Sequence, residues 1–217
     1  MLARTGLTIA LLIAALLGCS CAATTTRYLP VFTTTPRIST LGFSVLPPPG
    51  QNWYEKVNRD SLFYFKKMDS DIYSIATRAT ELHFSQQFPE QADFLAHVKG
   101  RKEISVDPSL ITNVRLTFDV SKKSDRCIRY QQSYEDHRAE DSSASPSLPY
   151  TMVSNTGLIC VHPDNDRIGI DLFYQERQAA GKPARSFANE GESFLNSLSF
   201  LSLEAQRRTT DAAVIYR

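Results

Sequence analysis

The sequence predicts an α+β domain, a mainly antiparallel sheet of about six or seven strands with two principal helices. Three observations point there. Val114–Val120 and Ile168–Arg177 alternate apolar and polar residues with period two, the mark of a strand with one buried face. Pro89–Lys99 and Ser186–Leu203 instead space their apolar residues as a helix does. Between Cys127–His137 and Met152–His162 lies a polar segment carrying Pro146 and Pro149, suited to joining antiparallel neighbours.

Residues 1–18 come first. Arg4 precedes the apolar run Gly6–Gly18, which ends in small residues, the layout of a secretory signal. The run is too short to span a bilayer, which takes about 20 apolar residues. The chain is therefore expected to leave the cytoplasm. Residues 19–41 are rich in Thr, with Pro30 and Pro36 and no sustained period, and read as a tether. Tyr28, Leu29, Val31 and Phe32 leave room for the alternative, an arm lying along the domain.

The globular part is expected over 42–217, enough chain for one domain with its own core. It opens with a short strand, Phe43–Leu46, broken by Pro47–Pro49 and Gly50, because proline supplies no ladder donor. Trp53–Val57 and Leu62–Lys67 read as strands, the second with the near-continuous apolar run of a strand covered on both faces. Ile72–Phe84 is ambiguous: its Thr, Tyr and Ile suit a strand, whereas Ala76, Ala79 and Leu82 suit a helix. The first clear helix places Pro89 at its first position, Ala92, Leu95 and Val98 on one stripe, and Gly100 as its cap. In the second, Phe194, Leu195, Leu198 and Leu201 make a stripe, and Asn189 with Glu192 matches a capping box.

Charge excludes one class of partner. Removing residues 1–18 takes Arg4 from 24 basic residues and none from the 23 acidic ones, and the remainder are mixed along the chain. No basic stripe marks a nucleic-acid binder. Four cysteines are present, and export makes Cys127 and Cys160 disulfide candidates. Pairing their strands so that the two cysteines face each other sets Ile128 against Ile159, Tyr130 against Gly157 and Tyr134 against Val153. This register sorts most apolar residues to one face and leaves the cysteines on the more polar one. A redox dithiol is the alternative use of the pair, but such dithiols favour Cys-x-x-Cys at a helix start, which is absent here.

Leu16-Leu17-Gly18-Cys19 resembles the lipobox of bacterial lipoproteins. The resemblance implies that Cys19 is lipidated and becomes the first residue of the mature chain, and two or more acyl chains give stable anchoring without a span. Ser20 in the next position implies the outer membrane, facing the periplasm. Cleavage after Ala22 or Ala23 is the alternative and would release a soluble protein. Phe43–Gly50 followed by Trp53 resembles the opening of the Mog1/PsbP-like group, over roughly residues 42–203. Members of that group are more often binding and assembly factors than enzymes.

Other motifs carry less. His162-Pro163-Asp164 matches the tripeptide of J-domain cochaperones but follows a strand rather than joining two helices. Asp164, Asp166 and Asp171 fit a solvated turn better than a calcium loop, which needs acids at alternate positions and a closing Glu. His83, His97 and His137 show no metal-ligand spacing, so no metal is expected, nor any cofactor, since no phosphate-cradling loop or nucleophile elbow is present. No catalytic residue is assigned. The aromatics Trp53, Tyr54, Phe63, Tyr64, Phe65 and Tyr73 suit a core, and any left exposed would mark a contact surface. The expected function is a lipid-anchored envelope protein that binds or assembles another envelope component; the alternative is an envelope enzyme whose pocket sequence does not show.

Overall fold

A computed structural model describes residues 28–58, 60–68, 73–103, 107–121, 123–138, 150–181 and 186–204. The leader, Cys19, residues 20–27, the connection 139–149 and residues 205–217 lie outside the described residues.

In chain order the strands are β1 (Leu29–Pro30), β2 (Arg37–Ile38), β3 (Phe43–Val45), β4 (Trp53–Asn58), β5 (Ser61–Lys66), β6 (Tyr73–His83), β7 (Ile111–Val120), β8 (Cys127–Asp136), β9 (Thr151–His162), β10 (Asn165–Ala179) and β11 (Ser199–Phe200). Helix α1 (Gln91–Lys102) joins β6 to β7, and α2 (Ala188–Asn196) joins β10 to β11. Eight strands make one antiparallel sheet in the order β1-β4-β5-β6-β10-β9-β8-β7, and β11, β3 and β2 make a small second sheet. The fold is thus α+β, as expected, with the first short strand leaving the main sheet to build the small one. The ambiguous segment is strand β6. Its Tyr73, Ile75, Thr77 and Ala79 are buried at every second position, and its register against β10 runs unbroken from Tyr73 to His83.

The helices cover opposite faces of the main sheet. On one, α2 and the small sheet enclose Phe43, Val45, Trp53, Tyr64, Leu158, Leu172, Phe194, Leu195 and Leu198. On the other, α1 sets Phe94 and Val98 against Leu82, Ile128, Ile159 and Val161. Each such buried side chain contributes roughly 1.5–3 kcal/mol.

The β8–β9 register is the one the cysteines predict: Cys127 opposes Cys160, Ile128 opposes Ile159 and Tyr130 opposes Gly157. The two cysteines are bonded. Their face is not the polar one, however. Both are fully buried beside Leu158, because α2 packs over this part of the sheet. Gly157 serves the packing on the other side: a Cβ there would come within 2.6 Å of the Tyr130 ring and of the Leu172 carbonyl oxygen.

Several boundaries differ from expectation. The first helix begins after Glu90, leaving Pro89 outside it, and runs through Gly100 to Lys102. Gly100 therefore does not cap it, and Ala92 faces solvent while Phe94 and Val98 turn inward. The second helix stops at Asn196 rather than Leu203 because Ser199 and Phe200 pair with Ser44 and Phe43. Asn189 and Glu192 form no capping box; the residue before the helix is Phe187, and Glu192 instead bonds Arg129 and the Tyr174 hydroxyl. Residues 28–41, read as tether with a docked arm as the alternative, lie along the domain. Leu29 and Pro30 pair with β4, Arg37 and Ile38 pair with β3, and Val31 packs against the core.

Candidate functional site

A cleft of about 130 Å³ opens where the small sheet meets β4, β5 and β6. Its shape follows from the chain's turns. Gly42, with φ of +80°, brings β3 back close to His162, and Gly50, with φ of +93°, turns the chain out of the prolines into β4. A Cβ at Gly42 would lie 2.7 Å from the His162 ring and 2.9 Å from the Leu201 carbonyl oxygen, so this crossing needs glycine.

The floor is apolar, formed by Phe43, Val45, Leu62, Ala79 and Ile170. Its rim is polar, with Arg37, Ser39, Asp60 and Glu81. Arg37 donates to both carboxylate oxygens of Glu55, at 3.0 and 2.9 Å, and Ser39 donates to Glu81. The hydrogen bond to Glu55, ahead of the opposing effect of burial, raises the Arg37 pKa. Beneath them the phenol of Tyr64 is held well above its ordinary range, first by burial and then by the Glu55 carboxylate. Ile38 and Val57 stand at the lip, 66% and 63% exposed. A cleft with this lining can seat an apolar side chain between groups that already satisfy one another.

His162 fixes the small sheet to the large one. Its Nδ1 accepts from the Asp164 amide at 3.0 Å, which leaves Nε2 to donate to the Leu201 carbonyl oxygen at 3.2 Å. Phe43 and Phe200 meet the ring edge-on. The tripeptide His162-Pro163-Asp164 is therefore a β-turn latch. Asp164 accepts from the Leu203 amide, and Asp166 pairs with Arg126. Asp171, grouped with them on sequence, lies in β10 and is buried on the opposite face of the sheet from the cleft.

There Lys102 Nζ donates to Asp171 at 2.7 Å and to the Tyr130 hydroxyl at 2.8 Å, and sits 4.0 Å above the Tyr130 ring. Burial lowers the Lys102 pKa against the pull of Asp171, and burial raises that of Tyr130. An amide ladder continues the network: Gln175 donates to Asn155 at 2.8 Å, and Asn155 donates to Gln132 at 3.0 Å. Gln132 also donates to the Lys102 carbonyl oxygen at the end of α1. The trio clamps α1 to the sheet. Among the described residues, no group of three His, Cys, Asp or Glu side chains is arranged to hold a metal ion.

Of the residues singled out on sequence, Cys127 and Cys160 come together, and Cys19 lies outside the described residues. The pairs Arg37–Glu55 and Ser39–Glu81 were missed because separate turns bring each together and no sequence period links them. Lys102 was missed because the helix was expected to end at Lys99 with Gly100 as its cap, whereas it runs on to Lys102 and carries that side chain to Asp171.

No protein-family model matches the chain, and no curated protein matches it either. Among solved structures, it is similar to the Saccharomyces cerevisiae Ran-binding protein Mog1p at 9% identity and a TM-score of 0.42, over 79% of this chain and 98% of that one. The α+β class itself rests on the sheet order and helix placement described above.

Proposed function

We propose that the chain is a bacterial lipoprotein of the cell envelope, held through Cys19 in the outer membrane on its periplasmic side. Its domain binds or helps assemble another envelope component without catalysis. The cleft carries this reading, with its apolar floor, exposed Ile38 and Val57 at its lip, and rim residues Arg37 and Glu81 engaged by Glu55 and Ser39. Such a surface suits insertion of a partner's apolar side chain. The ionisable groups most changed by burial near α1, Lys102 and Tyr130, lie on the opposite face and are engaged with Asp171. The Cys127–Cys160 bond supports export, since disulfides persist in oxidising compartments.

A photocrosslinker placed singly at Ile38, at Val57 or at Val114, on the far edge strand, tests the assignment in intact cells. The expected result is one discrete adduct from the first two positions and none from the third. Equal adducts from all three positions, or adducts from Val114 alone, would overturn the cleft as the contact.

A further inference from the structure

The aromatic segment of β4 and β5 divides between the two faces of the sheet. Trp53 and Tyr64 point into the core, whereas Tyr54, Phe63 and Phe65 lie on the other face and stay half-buried. Tyr54 stacks on Phe65 with ring centroids 5.3 Å apart, Phe63 follows at 6.5 Å, and Tyr28, 41% exposed, meets Phe65 edge-on at 4.8 Å. Register sets cations among these rings. Lys56 opposes Phe63 on one side and exposed Arg78 opposes it on the other. Among the described residues of β4, β5 and β6, the alternation places no acid on this face; Glu55 and Glu81 belong to the cleft side. Helix α1 packs over the other half of the face and leaves these rings open.

We infer that this aromatic and basic face rests on an anionic phospholipid surface. Amphipathic rings settle at the headgroup level of a bilayer, and nearby Lys and Arg are drawn to anionic lipid. The occupant is set by charge complementarity and by reach, the latter resting on the lipid-anchored reading. Tyr28 is nine residues from Cys19, so the rings stay within about 30 Å of an anchored thiol even along a fully extended chain. The cleft, on the opposite face, is then turned toward the periplasm and a partner.

The purified chain is mixed with vesicles of phosphatidylglycerol and phosphatidylcholine, or of phosphatidylcholine alone. Lysine acylation rates are then read by mass spectrometry, with exposed Lys123, beside the distant β7–β8 turn, as the reference. Acylation of Lys56 is expected to slow on the anionic vesicles only, with Lys123 unchanged. Arg78→Glu, at an exposed position, is expected to weaken that protection about fivefold or more, the effect of one cation near an anionic surface. Equal rates on both vesicle types, or protection unchanged by Arg78→Glu, would overturn the inference. So would equal protection by dextran sulfate in free solution, which would mark the face as a site for a soluble polyanion. An unmodified Cys19 with Lys56 still protected would remove the anchor and leave this surface standing.

Discussion

The hairpins β8–β9 and β4–β5 begin from similar sequence, each rich in apolar and aromatic residues, and end in different surroundings. In β8–β9 both faces are covered, with Cys127, Cys160 and Leu158 under α2 and Ile128, Tyr130 and Ile159 under α1. In β4–β5 one face holds Trp53 and Tyr64 in the core, while the other leaves Tyr54, Phe63 and Phe65 partly open. The run Leu62–Phe65 was expected to be covered on both faces and is covered on one. A continuous apolar run states what a strand could bury, and the placement of helices decides what it does bury.

Substitutions on the two faces of β5 differ in what they cost. Tyr64→Ala is expected to lose about 3–5 kcal/mol in urea unfolding, the usual loss for a large core aromatic, whereas Phe63→Ala one position away loses about 1 kcal/mol or less. Equal losses would mean that the outer face is covered after all. Lys102→Met strands the Asp171 carboxylate under α1 and is expected to cost about 3 kcal/mol, with part of the loss restored by adding Asp171→Asn. Full additivity of the two changes would show that the clamp is not coupled. Replacing Cys127 and Cys160 together by Ala should cost about 2–4 kcal/mol under oxidising conditions, measured by the same unfolding curve.

The smallest effect is expected at the far end of β8. The hydrogen bond from Arg138 holds the Asp136 carboxyl below its ordinary value, ahead of the opposing effect of burial. Its stabilisation is therefore present above about pH 4 and is lost as pH falls through the lowered value. Asp136→Asn should flatten the acid limb of the stability profile below about pH 4 and leave its slope near neutrality unchanged.

Local pattern made the long strands legible, although over Val114–Val120 it marked a strand without the buried face expected of it, because β7 is an edge strand whose Val114 and Val120 stand exposed. The period-two alternation of β7 and β10 and the cysteine-set register of β8 against β9 are properties of neighbouring residues and of one pairing. Elements that depend on distant partners were harder to read. Leu198 and Leu201 continue a helical stripe on paper, but the chain leaves α2 at Asn196 because β11 finds β3, some 150 residues earlier in sequence. The cysteine face was expected to be polar because α2 is absent from a two-strand argument. The cleft was illegible for the same reason: the pairs Arg37–Glu55 and Ser39–Glu81 form only after β2, β4 and β6 have been placed by separate turns. Gly100 shows the opposite limit, since a glycine in open space can continue a helix at modest cost instead of ending it.

The proposal rests above all on the thiol at position 19. The intact mass of the chain recovered from its native membranes tests this most directly, compared with Cys19→Ala. The account predicts a chain beginning at Cys19 and carrying the added mass of a diacylglycerol and an acyl chain, with the variant left unprocessed. A chain that begins after Ala22 or Ala23, or one that retains residues 1–18 without lipid, would contradict it.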